Sequence, residues 1–577
     1  MAKCRTAALT PEVQLSPRYV TWRRNMVNNL FLKLIIRKHV FSRGYPRMST
    51  HVEKQVPLCR WDSAGAGGDS LRRAGPGARY GDRRRDGTAS FHSGTHTVVN
   101  RMTTTSFFRS CLLFSIGVLA ANVWARDSRP DHGVIGVEPV HLTPDYWIAK
   151  HPRSDALVVD ASAIAEQNTR LRSTDPSVNH IAALPATLER TRVRNWIESL
   201  SRAPESPLYD DNGVRLSPGI LSGLRKSLAL DSIATRQATR YGMVTQRADL
   251  RTFPTQTRVF NAPGNTDIDR FQENALFPGT PVAIVHESDD GEWWFVVSDL
   301  YEAWVAKRDI AVGSADQAFG YARKTPYLVI TGNDVRTNFT PEQPQVSELK
   351  LDMGIRVPLL ADWPPDRPVN GQHHYAAYVI ELPIRGKDGS LEFVPALLAR
   401  SSDVATDYLP LSRETLLRQS FKFLGERYGW GHSYNARDCS GFVSEVYRSF
   451  GVTLPRNTKD QATSPALHRI ALDAGMGHAE RIALLRTLDV GDLVYIPGHV
   501  MMVIGFEDGL PYVIHDTTGI GYRDSTGKYK RVLLNGVAVT PLVPLMAGDE
   551  QFTIDRITSV QRMRPASTGP GNQETQP

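Results

Sequence analysis

The sequence predicts an α+β protein in which a helical module and two small β-barrels precede a mixed domain built from a cysteine-bearing helix and a β-hairpin. Three observations point there. The chain has 577 residues, enough for three or four domains at roughly 100 to 200 residues each. Short-strand patterns separated by Asp-Gly turns recur twice in its middle. Beyond residue 411 two amphipathic helical patterns give way to alternating strands.

Charge and hydropathy narrow the classes. The formal net charge is +8, but residues 1–101 hold 19 Lys and Arg against 6 Asp and Glu, and the remainder holds 49 against 54. A nucleic-acid partner needs a basic face on a folded domain, so none is expected. No apolar run reaches the ~18 to 20 residues of a membrane-spanning helix, and no stable membrane insertion is expected. Residues 1–101 contain Gly- and Arg-rich stretches such as SAGAGGDSLRRAGPGARYGDRRRDG without apolar periodicity, and read as a disordered extension.

From Met102 the pattern changes. One positive charge, Arg109, precedes an apolar stretch from Cys111 to Ala121 and small positions at Val123 and Ala125. Residues 102–125 therefore read as a secretory signal peptide cleaved after Ala125, the alternative being a buried core helix. Because such a signal acts at an N-terminus, Met102 is the expected start and residues 1–101 a misassigned upstream reading. Cys4, Cys59 and Cys111 all precede the expected cleavage point, which leaves Cys439 as a lone thiol in an exported protein.

The elements follow in order. Residues 126–235 form the helical module, with helical patterns in RTRVRNWIESL and SPGILSGLRKSLAL. Residues 236–314 read as the first barrel, from TPVAIVHES through the turn Asp289-Asp290-Gly291 to EWWFVV; its Trp293, Trp294, Tyr301 and Trp304 are mostly core. Residues 315–410 repeat the pattern more loosely around the turn Lys387-Asp388-Gly389. In residues 411–545, Ser412 caps a helix expected to run to about Tyr428-Gly429, and Asp438 caps a second that stops at Gly451. Residues 546–577 read as a tail.

Cys439 then lies in the first turn of a helix, where free N–H groups and the helix dipole lower a thiol from ~8.5 toward neutrality. A nucleophilic thiolate needs a base, itself oriented by a third group. His499 heads the strand HVMMVIG and His515 lies on the returning strand. A three-residue turn at Glu507-Asp508-Gly509 sets Phe506 against Leu510 and Met501 against His515, placing both histidines on one face. A Cys-His-His zinc site is the rival chemistry, although no HExxH or CxxC spacing accompanies it.

The segments YGWG, DCSGF, LPRNTKDQA, GDLVYIPGHV and YVIHDTTG, in this order, resemble the NlpC/p60 family of cell-wall cysteine peptidases, and DGEWWFVVSDLYEAWVAKRDIAV resembles a bacterial SH3 domain. A Gram-negative subgroup with an N-terminal clip and two bacterial SH3 domains is similar over residues 126–545. The resemblance implies a papain-like, cofactor-free peptidase of the periplasm or exterior that cleaves the γ-D-glutamyl to diaminopimelate bond of peptidoglycan stem peptides. It implies Cys439 as nucleophile, His499 as base, His515 as its orienting group, and Tyr428 as an oxyanion donor. Asp438 and Ser440 would hold the substrate's free amine, and Tyr301 would border the pocket. His432 stands where relatives often have a second glycine. Two other readings remain open: a wall-binding regulatory protein with an inactive peptidase domain, and amidase or acyl-transfer chemistry on the same fold.

Overall fold

Alternating apolar residues in the middle of the chain build a seven-stranded antiparallel sheet, and its tight turns bring it round on itself. The computed structural model describes residues 133–564. The expected extension, signal peptide and Ala125 lie outside these residues, as do Cys4, Cys59 and Cys111. In sheet order the strands are Ile310–Gly313, Arg240–Val244, Pro281–Glu287, Trp293–Val297, Glu302–Ala306, Ala248–Arg251 and Gln272–Leu276. Trp293, Trp294 and Trp304 are buried; the adjacent Trp293 and Trp294 point to opposite faces of the sheet and enter different cores.

The second β unit has its own core of Leu328, Ile330, Val357, Ile380, Leu382 and Leu398. Its strands do not form one continuous sheet. They split into a three-stranded sheet, a short pair, and the long hairpin Ala377–Arg385 with Leu391–Ala399.

The last domain packs helices Arg413–Phe421 and Cys439–Arg448 against a six-stranded antiparallel sheet. Phe442, Val443, Val446 and Tyr447 enter its core, as their helical spacing predicts. Ser412 caps the first helix, but the helix ends at Phe421 and not near Tyr428. Gly425 takes a left-handed φ of 82° and gives its N–H to Val537 O, so the chain leaves helical geometry to run beside the strand Tyr529–Pro541.

Two expected boundaries shift. Residues 126–235 do not form a module with a core of their own: Trp147, Val159 and Ile164 pack in the cluster that holds Cys439, whereas Leu188, Val193 and Ile197 pack with Trp293 and Trp304. Too few apolar residues sit on any one of these short helices to bury each other, so each half completes a neighbouring core. The expected tail contributes Ser559–Arg562, a strand paired on both sides, with His468–Ala471 and with Leu493–Ile496.

Candidate active site

The helix Cys439–Arg448 starts at Asp438, whose extended backbone and side chain make it the N-cap: Oδ1 accepts from Gly441 N at 2.8 Å. Cys439, 5 % exposed, is therefore the first helical residue. Its Sγ approaches Gly498 O at 4.0 Å, and Val500 N–H also faces the sulfur, so the thiol rests against the backbone on both sides of His499.

His499 opens the strand His499–Glu507, which pairs with Leu510–Arg523. The connection is a two-residue Asp508-Gly509 turn with φ of 49° and 72°, and Glu507 faces Leu510, one residue tighter than the expected loop. A bulge between Val503 and Gly505 then moves the register by one, so that Met502 faces Ile514. The two departures cancel. A Cβ on Gly505 would lie 2.5 Å from the Trp147 ring, so the bulge accommodates the N-terminal segment.

With that register restored, His499 Nε2 lies 2.8 Å from His515 Nδ1, and His515 Nε2 lies 3.1 Å from Thr540 Oγ1. Burial lowers His499 to about 4 and His515 well below its usual value, so both imidazoles are neutral. Each ring then has one N–H and one lone pair, and the chain of contacts fixes which nitrogen points where.

The expectation of a depressed thiol is overturned. Burial pushes Cys439 up to about 12, the Asp438 carboxylate pushes the same way, and the Val500 N–H opposes them. The physical reason is burial first, and then the cap: the Asp438 carboxylate, bound to Gly441 N–H, stands next to the sulfur at the helix start. The resting pair is a neutral thiol beside a neutral imidazole.

Asp438 and Ser440 sit in a closed network. Arg456 Nη2 donates to Asp438 Oδ2 at 2.8 Å and Arg456 Nη1 to Ser440 Oγ at 2.8 Å; Gly431 N also donates to Asp438 at 3.1 Å. Burial would raise the Asp438 carboxyl, but Arg456 beside it holds it at about 2. The two residues expected to hold an ammonium thus stand together, with Arg456 as a cation already beside the carboxylate. Arg456 stands in LPRNTKDQA, where no local signal marks an arginine for this contact.

Tyr428 is buried and its phenol is raised by burial and by nearby acidic groups, Cys439 first among them, which keeps it a hydrogen donor. Tyr301 gives its hydroxyl to Glu273 Oε2 at 2.7 Å, and Asn274, next along the same strand, accepts from Arg456. The first barrel thus reaches the Arg456–Asp438 network. A cavity of about 340 Å³ opens beside Tyr428, His499 and His515 and extends past Thr517 and Met546. Among the described residues, no group of three His, Cys, Asp or Glu side chains has metal-holding geometry, Cys439, His499 and His515 included.

Comparison with known proteins places these features. Residues 425–537 match the NlpC/P60 family model, and residues 258–306 match the SH3 domain model of the SH3b1 type. A γ-D-glutamyl-L-lysine dipeptidyl-peptidase of Bacillus cereus is 23 % identical over 254 residues, covering 40 % of this chain and 69 % of that protein. An NlpC/P60 endopeptidase from Photobacterium damselae subsp. piscicida superposes with a TM-score of 0.57 at 17 % identity, over 72 % of this chain and 96 % of that one. An NlpC/P60 family protein from Bacillus cereus covers 56 % of this chain and all of its own, with 19 % identity and a TM-score of 0.39. The chain carries an NlpC/P60-family peptidase domain preceded by a bacterial SH3 domain.

Proposed function

We propose that the protein is an exported peptidoglycan hydrolase that cleaves the γ-D-glutamyl bond to the diamino acid of stem peptides. Cys439 is the nucleophile. The observation that carries this reading is the thiol held against the backbone flanking His499, with His499, His515 and Thr540 hydrogen-bonded in series behind it. His499 takes the thiol proton as sulfur attacks the carbonyl and returns it to the leaving amine; His515 holds the ring in the required tautomer. Tyr428 and the Cys439 N–H stabilise the oxyanion.

The substrate is a stem peptide with a free N-terminal L-alanine. Glu273 carries the recognition: it is partly exposed, bonded by Tyr301 and without a cationic partner among the described residues. The Bacillus cereus relative acts, by its name, on a γ-D-glutamyl-L-lysine bond, which supports the bond class. The signal-like stretch at residues 102–125 supports export to the periplasm of a Gram-negative cell.

The test is mass analysis of L-Ala-γ-D-Glu-diaminopimelate, its N-acetylated form and whole sacculi after incubation with the wild type and with Cys439→Ala, His499→Ala and His515→Ala. Cleavage of the free peptide, its loss in the first two variants and a partial loss in the third are expected. Turnover by Cys439→Ala would overturn the mechanism, and preference for sacculi would overturn the substrate.

A further inference from the structure

The segment Trp430–Asn435 carries the chain from Tyr428 toward Cys439, and its backbone is left-handed at Gly431, His432, Tyr434 and Asn435, with φ of 54°, 64°, 62° and 56°. Three of the four have a side chain that disfavours this region, and such residues stay there only where the surroundings over-determine them. Here the surroundings come from both β units.

Arg247 stands between the strands Arg240–Val244 and Ala248–Arg251 of the first. Its Nη2 donates to His432 O at 3.0 Å and to Ala436 O at 2.6 Å, and its Nη1 pairs with Asp352 of the second unit. Asp352 is fully buried and also lies 3.2 Å from Arg437, the residue before the helix cap. Arg437 is in turn held by Glu445 of the catalytic helix at 2.7 Å. Two further contacts close the clamp: Lys350 Nζ donates to Asn435 O at 2.9 Å and Gln272 Nε2 to Gly431 O at 2.9 Å. The segment is pressed onto the first barrel, since a Cβ on Gly431 would lie 2.9 Å from the Glu273 carbonyl carbon.

We propose that Arg247 is a positioning residue: bridged to Asp352, it clamps the left-handed segment and so sets Tyr428 and Cys439 for reaction, making the peptidase domain depend on both β units. The inference rests on the peptidase reading above. The residue type fits the task. A guanidinium is a planar fork of five donors that can serve two carbonyls and a carboxylate together, whereas a lysine ammonium is a compact point charge on a flexible stem. Misplacing a reacting group by about 1 Å can cost on the order of a hundredfold in rate.

The experiment uses the full chain as wild type, Arg247→Ala, Arg247→Lys and, as a control, Arg236→Ala, which loses exposed contacts with Glu189 and Thr187 far from Cys439 in the chain. Hydrolysis of L-Ala-γ-D-Glu-diaminopimelate gives kcat and KM. Iodoacetamide alkylation of Cys439, followed by peptide mass across pH 6 to 10, reads the thiol's surroundings without reference to any substrate. Circular dichroism gives the folded fraction. In Arg247→Ala, kcat falls about tenfold or more and the alkylation profile shifts, while the protein stays folded. Arg247→Lys recovers part of the loss and Arg236→Ala matches the wild type. Wild-type kcat and alkylation in Arg247→Ala overturn the proposal, as does a loss equal to the unfolded fraction. Should Arg247→Ala fail to fold, a wild-type profile in Arg247→Lys overturns it equally. Absence of hydrolysis by the wild type would count against the peptidase reading, while the alkylation profiles still decide the clamp.

Discussion

Replacing Arg456 with Met removes the cation that keeps Asp438 charged inside the protein. Arg456 is 8 % exposed and makes two contacts to Asp438, at 2.8 and 3.3 Å, one to Ser440 at 2.8 Å and one to His432 Nδ1 at 3.1 Å. The Asp438 carboxyl stands at about 2 against an ordinary 3.8, a difference worth about 2 kcal/mol at ~1.4 kcal/mol per pH unit. Because the folded value is the lower one, this contribution is complete above pH 4 and is lost as pH falls through 2. Without the guanidinium, the Gly441 and Gly431 N–H groups remain but the largest opposition to burial is gone, and the carboxyl rises. Breaking one side of a buried pair costs about 3 to 5 kcal/mol, whereas removing both sides costs far less. Arg456→Met should therefore lose about that much stability at pH 7 in urea unfolding, regain part of it as pH falls toward 5 and Asp438 protonates, and be rescued by adding Asp438→Asn. A loss under about 1 kcal/mol, or a double variant no more stable than Arg456→Met, would refute the reasoning.

Two further outcomes follow from the same geometry. With the His499 imidazole lowered to about 4 it stays neutral as pH falls, so the acid half-point of kcat/KM should sit nearer 4 than the usual 6.5 of histidine; a half-point between 6 and 7 would show that His499 is not the base, or is not desolvated in solution. Trp147, fully buried against the sheet of the peptidase domain, should cost about 3 to 5 kcal/mol when changed to Ala, and a loss under 1 kcal/mol in chemical denaturation would show that the N-terminal segment is not part of that core.

What the sequence made legible were features written in local pattern. Asp438 and Ser412 each stand before an apolar helical stripe and cap it; Trp293 and Trp304 lie in apolar, aromatic strand runs and are core. The hairpin shows how far such reasoning reaches. Its turn was one residue too long in the expected form, yet His499 and His515 still meet, because the bulge at Gly505 takes up the difference. Nothing local announces that bulge: its cause is Trp147, some 350 residues earlier in the chain. Arg456 and Arg247 were hidden for the same reason. An arginine in a polar loop is usually solvated; Arg247 meets its carboxylate, Asp352, in another domain, and Arg456 meets Asp438 only through the fold of its own. The helix ends at Phe421 although Leu424 keeps the helical spacing, because the choice between helix and turn is made by the strand Tyr529–Pro541 beside it.

The thiol carries this lesson into chemistry. A cysteine at a helix start is usually expected to be acidic, and the expectation treats the helix end as vacant. Here Asp438 binds Gly441 N–H, so the positive end already holds a negative group, and a second anion one residue away is opposed by the first. A thiol raised to about 12 beside an imidazole lowered to about 4 leaves the proton on sulfur in the free protein. Proton transfer must then be favoured by something that arrives with the substrate. The developing oxyanion can accept from Tyr428 and from the Cys439 N–H, groups that gain little from the neutral thiol, so their stabilisation appears only as sulfur attacks. Such a site stays inert toward small oxidants and alkylating agents, which react with thiolate, and becomes nucleophilic when a carbonyl is bound. Slow alkylation of resting Cys439 together with turnover of a bound substrate is the outcome this arrangement predicts, and a substrate-sized ketone that forms a hemithioketal should bind tightly even though iodoacetamide reacts slowly.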